Sequence, residues 1–154
     1  MYLDAVDLAL LKLLQSDATT SYTTLAKEVG LSAAAVHDRV RKLRERGVVR
    51  RTTVEVDPES VGLSTLAFVL LHATAWMGDE ATAVAISAVP GVQEAHIVAG
   101  RASVLAKVRA RSNAELQAIL RQLYSVDGVS ETEAVMVLET IFERSVEIQP
   151  GGDE

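Results

Sequence analysis

The sequence predicts an α+β chain in two modules, three helices followed by elements in the order βαββαβ. Three observations predict it. Apolar residues recur at helical spacing as far as Leu43, and only Gly30 and Leu31 separate the second helical stretch from the third. Beyond Pro58 the pattern changes to short runs of branched apolar residues alternating with two helical stretches. The charge divides the same way. Residues 1–60 hold nine Lys/Arg and nine Asp/Glu, whereas residues 61–154 hold six and twelve.

In the first module, Asp4 caps a helix running to about Gln15, with Asp7 in its first turn, Leu3 as a hydrophobic staple, and Val6, Leu10, Leu13 and Leu14 inward. After the polar link DATTS, Ser21 to Val29 reads as a short second helix that Gly30 ends. Ser32 caps the third helix, whose inner stripe is Val36, Val40 and Leu43, and Gly47 closes it. Two helices joined by so tight a turn, on top of a first, make a helix-turn-helix arrangement. Val48–Val56 alternates loosely and reads as a strand, the wing that follows such a unit. VDPES then interrupts it. The expected boundaries are 1–56 for a winged helix-turn-helix domain, 57–63 for a hinge, 64–146 for the second domain and 147–154 for a disordered tail.

In the second module, Leu66–Ala73 reads as a strand and Asp79–Val89 as a helix stopped by Pro90-Gly91. Val92–Val98 and Ala102–Arg109 are strands joined by a turn at Ala99-Gly100-Arg101. Ser112 to Glu115 is a capping box opening a helix with Leu116, Ile119, Leu120 and Leu123 inward. Asp127-Gly128 turns the chain into a last strand, Glu131–Thr140. This order is the ferredoxin-like pattern, an antiparallel sheet with two helices on one face. The other face needs cover, and a second copy of the chain supplies it, so a dimer is expected.

At 154 residues, with an ordinary balance of apolar and charged side chains, the chain can bury a sizeable core. It has no cysteine, which removes disulfides and thiolate metal sites and fits a cytoplasmic setting. The N-terminus lacks a basic region and carries two acids, unlike a signal peptide, and no apolar run reaches a membrane span. His37, His72 and His96 lack metal-ligand spacing and read as structural or surface side chains. Trp76 and Met77 fall in a loop, where they line a subunit seam or plug the surface locally. No cofactor is implied. The informative charge lies in Ser32–Thr53, which holds seven Lys/Arg against two acids in a chain of net charge −6. Taken alone, a basic helix in an acidic protein fits equally a site for a polyanion, such as double-stranded DNA, and a solvated face of ordinary surface charge.

This sequence resembles the leucine-responsive/asparagine regulator (Lrp/AsnC) family of transcription factors over nearly its whole length. The resemblance is carried by LDAVDLALLKLL, LAKEVGLSAAAVHDRVRKLRERGVV, PESVGL, PGVQEAHIVAG and DGVSETEAVMVL, in that order. It implies a DNA-binding module and a second, RAM-type module that dimerises, assembles into tetramers or octamers, and holds a small effector, usually an amino acid, where dimers meet. It places effector contacts at Gly100, Arg101, Ala102, Ser103 and Thr132. The family's turn usually reads Gly-Asp-x-Asp-Tyr; here it reads Gly100-Arg101-Ala102-Ser103-Val104, without both acids and the aromatic. Arg101 and Ser103 favour a carboxylate or other anion over an ammonium group, so a changed ligand, or none, is expected.

On the third helix, Ser32, Ala34, Ala35, His37, Asp38 and Arg41 are expected at its N-terminal, base-reading part. Arg41 suits guanine and the alanines suit thymine methyls. Arg39, Lys42, Arg44, Arg50 and Arg51 are expected on phosphates, Arg39 matching the arginine of the family's "RV" pair. Two other functions fit less well. One is an architectural protein binding DNA with little sequence choice; the other is an enzyme resembling sirohaem decarboxylases, for which His96 and Arg101 would have to begin a tetrapyrrole pocket.

Overall fold

The computed structural model describes residues 3–149. It contains α1 (Ala5–Ser16), α2 (Tyr22–Val29), α3 (Ala33–Glu45), β1 (Thr65–Ala73), α4 (Glu80–Ser87), β2 (Val92–Ile97), β3 (Val104–Ala110), α5 (Asn113–Tyr124) and β4 (Val129–Met136). Two compact units result. One is the chain as far as Glu55 together with the segment from Glu143; the other is Val56–Phe142.

In the first unit every helix starts where a polar side chain meets an orphan amide. Asp4, Ser21 and Ser32 accept from the backbone N–H of Asp7, Thr24 and Ala35. Asp7 returns the favour to the Asp4 amide, completing a capping box. Gly30 ends α2 at φ +70, a left-handed conformation that spares a side chain the clash with its own carbonyl. The turn to α3 is as short as its sequence suggests. Leu10, Leu25, Ala26, Val36 and Val40 close the core of this unit, with Val6, Leu13, Leu14, Tyr22 and Val29 against it. The segment from Glu143 joins the unit through Gln15, whose Nε2 donates to the Val146 carbonyl at 2.9 Å.

The expected wing is not a strand. After Val48 and Val49 donate to the Leu43 carbonyl, residues 50–57 run on without regular structure and stay exposed. The alternation is real, but a strand needs a ladder, and none of the described residues pairs with this segment.

In the second unit the sheet order is β2-β3-β1-β4, antiparallel throughout. Alternate residues of β1 and β3, Ala67, Val69, Leu71, Val104, Ala106 and Val108, face Ile86, Leu116, Ile119 and Leu123 of the two helices. Gly91 is needed where the chain leaves α4. It sits at φ +88, and a Cβ there would meet the Arg109 carbonyl oxygen at 2.6 Å. The opposite face is open: Phe68 lies between Lys107 and Val135 in register, and Leu70 between Leu105 and Glu133.

Three sequence expectations shift. β4 begins at Val129, because a bulge between His72 and Ala73 lets Ala73 face Val129 while Ser130 Oγ donates to the His72 carbonyl. It stops at Met136, opposite Ala67, with one further bond from Val137 N to the Leu66 carbonyl at 2.9 Å. β3 starts at Val104, since Ala102 and Ser103 belong to the turn. The tail from Pro150 lies outside the described residues; residues 147–149 are irregular.

Candidate nucleic-acid interface and effector turn

At about 100° per residue, the buried stripe of Val36, Val40 and Leu43 leaves Asp38, Arg41, Lys42 and Glu45 roughly opposite, pointing straight away from the core. These four side chains pair with one another. The Arg41 guanidinium lies between two carboxylates: Nη2 donates to Asp38, and Nη1 donates to Glu45 Oε1 at 2.6 Å. Lys42 Nζ lies 2.7 Å from the second oxygen of Asp38. Lys42, then Arg41, hold the Asp38 carboxyl below its usual range, and Asp38 with Glu45 raises the Arg41 guanidinium. All four remain about half exposed.

Arg39 is placed differently from expectation. Its Nη1 donates to Asp4 Oδ2 at 2.6 Å and to Asp7 Oδ1 at 2.8 Å, and Asp7 is buried. This arginine binds α3 to the first turn of α1; its position beside the buried stripe turns it inward, where an expected phosphate contact would need it outward. Arg44, Arg50 and Arg51 are exposed and have no ion-pair partner among the described residues. Ala34 and His37 are exposed and Ala35 is half-buried. The His37 ring meets Tyr22 of α2 edge to face, centroids 5.1 Å apart, bracing the two helices of the motif. Ser32 is spent as the cap of α3.

In the second unit the β2–β3 turn and β4 converge. Leu71 lies opposite Val104 on one side and Thr132 on the other, so the turn and Thr132 are about two strand spacings, roughly 10 Å, apart. Gly100 takes φ +152, a conformation that favours glycine. Arg101 is exposed, and its carbonyl accepts from His72 Nδ1 at 3.0 Å. Ser103 N donates to the Leu71 carbonyl at 2.9 Å, while Ala102 is buried. Through its bond to the Arg101 carbonyl His72 ties β1 to the turn, while its Nε2 lies 3.8 Å from Glu133 of β4.

Sequence reasoning missed a cleft of about 450 Å³ between α4 and β2, with Met77 and Ile86 at its floor and Asp79, Glu94 and His96 around it. Met77 is a core side chain, whereas Trp76 is exposed, its indole lying across Gly78. Nothing in the local pattern separates those neighbouring residues. Among the described residues no cluster of His, Asp and Glu is arranged to hold a metal, and no helix is long and apolar enough to cross a membrane.

A helix-turn-helix with a polar outward helix, attached to a ferredoxin-like unit with an open sheet face, defines a two-module DNA-binding regulator. Comparison with known proteins narrows that class. Residues 3–44 match the AsnC-type helix-turn-helix domain and residues 66–147 the Lrp/AsnC ligand binding domain. The chain belongs to the Lrp/AsnC family of transcriptional regulators, which are not enzymes. It is 34% identical over 138 residues to the HTH-type transcriptional regulator FL11 of Pyrococcus horikoshii, covering 90% of this chain and 91% of that one. Its fold is similar to that of Escherichia coli AsnC, with TM-score 0.87 and 26% identity over 95% of this chain and 99% of that chain. It is also similar to a feast or famine regulatory protein from M. tuberculosis complexed with L-methionine. The TM-score there is 0.88 and the identity 29%, over 96% of this chain and 100% of the other.

Proposed function

We propose that this regulator reads DNA with the N-terminal part of α3 in the major groove, while Arg44, Arg50 and Arg51 hold phosphates. The observation that supports this most directly is the outward ridge of polar side chains on a helix capped at Ser32, with Arg44, Arg50 and Arg51 exposed near it and without an ion-pair partner among the described residues. Arg39 is reassigned from phosphate contact to bracing the domain. Two copies of the chain pair through the open sheet face around Phe68, Leu70 and Leu105, and dimers assemble further, in the cytoplasm. Paired recognition helices then address half-sites one helical turn, or multiples of it, apart.

The effector is an acid-bearing small molecule held by Arg101 and Ser103 near Thr132. A relative is complexed with L-methionine, but a cationic side chain in this turn suits a carboxylate better than an ammonium group. The effector shifts which assembly is populated, and so which spacings of half-site are bridged. Footprinting on DNA upstream of its own gene, with and without a panel of amino and keto acids, tests the reading. A protected, salt-sensitive site whose extent changes with a carboxylic acid is expected; a specificity ratio near one against random DNA would favour an architectural role instead.

A further inference from the structure

The outermost ridge of α3 carries two bases and two acids, so the part of the helix closest to an incoming duplex has no net charge. Asp38, Arg41, Lys42 and Glu45 are spaced i, i+3, i+4 and i+7, and every one of their charges is engaged within the ridge. A surface built only for attraction to phosphate would carry no acids there. Each carboxylate that faces a duplex is repelled by its backbone and loses solvent on docking.

We propose that Asp38, assisted by Glu45, sets the sequence specificity of this regulator by holding Arg41 and Lys42 until bases replace it as their partner. The proposal rests on the reading of α3 as the groove-facing helix. A lone phosphate can take Arg41 from the carboxylates, but it leaves Asp38 and Glu45 facing negative charge without a donor. A base pair does better. Guanine N7 and O6 accept from Arg41, and a neighbouring cytosine N4 amine donates to Asp38, so both members of the pair find new partners. The acids therefore oppose binding on most sequences and allow it where an arginine acceptor and a carboxylate donor lie side by side. Arg44, Arg50 and Arg51, which have no ion-pair partner among the described residues, supply the attraction common to all sequences.

The test compares full-length wild type with Asp38→Asn and with Asp38→Asn/Glu45→Gln. The probes are a duplex recovered from a random pool by selection on the wild type and a random-sequence duplex of the same length. On random duplex the double variant is expected to bind about tenfold more tightly, with a steeper salt dependence, while binding to the selected duplex changes less or weakens. Asp38→Glu should restore most of the ratio. An unchanged ratio in both variants, or an equal loss on both duplexes, would overturn the proposal while leaving the groove-facing reading in place. A wild type that binds neither duplex at low salt would end both. Unaltered melting temperatures separate these results from a helix that no longer folds.

Discussion

Arg39 and Asp7 join the third helix to the first: the arginine's Nη1 lies 2.8 Å from a carboxylate that is otherwise buried, with Asp4 accepting from the same nitrogen. The pair fixes the angle at which the outward ridge of α3 is presented, although neither residue points outward itself.

Arg39→Ala is therefore expected to act on stability first. It leaves the buried Asp7 carboxylate without its charged partner, the Asp4 amide alone remaining, and costs about 1–2 kcal/mol of helix-turn-helix stability. Arg44→Ala, by contrast, should leave the denaturant midpoint nearly where it was. Equal midpoints for the two variants would contradict the bracing role.

Phosphate contacts should show themselves through salt. Arg50→Ala or Arg51→Ala is expected to weaken binding to all duplexes alike and to lower the salt slope by about one each. Arg41→Ala should instead cost about 1–3 kcal/mol on the selected site. Titrations at several salt concentrations separate the two classes.

Acid should unfold the protein in a defined range. The carboxyl of Asp4 is held below its ordinary value of 3.8 by the Asp7 amide and then by Arg39, and that of Asp79 by the Thr82 amide and hydroxyl. With folded values depressed, the unfolded chain binds more protons at low pH. The stabilisation is complete above the ordinary carboxylate range and is lost as pH falls through the folded values, below about pH 4. Thermal melts should be flat in this respect between about pH 5 and 7 and fall below about 4, with a shallower fall for Asp79→Asn, which keeps a capping side chain.

Gly91→Ala should damage the second unit more than Gly47→Ala damages the first. Both glycines have positive φ, but only at Gly91 does a Cβ strike backbone and the Ile119 side chain; Gly47 faces open space. Roughly 2–4 kcal/mol against about 1 is expected, read from chemical denaturation.

Most of the fold was legible in the sequence, because each helix has a cap, a stripe and a stop within a few residues of one another. Asp4, Ser21, Ser32, Asp79 and Ser112 all cap the helices that follow them. Features that depend on a distant partner were not legible. The 48–56 alternation resembles a strand, yet pairing is a property of two segments. Met77 and Trp76 differ only in what packs over them. Arg39 looked like one more basic residue of a basic helix, and only the approach of α1 shows its charge to be committed. The pairing of Asp38 with Arg41 and Lys42 could have been found, since i, i+3 and i, i+4 spacings of opposite charge are a helical signal. In the second unit, Gly100 marked the turn, but that Ala102 turns inward while Arg101 remains outside depends on the register of β1 against β3.

The indole laid across Gly78 has a practical consequence. Trp76 is the sole tryptophan of the chain, exposed beside the cleft between α4 and β2. Its emission is thus a built-in optical reporter of that loop, sensitive to whatever dries or displaces the ring, and needs no label to follow an occupant as it arrives.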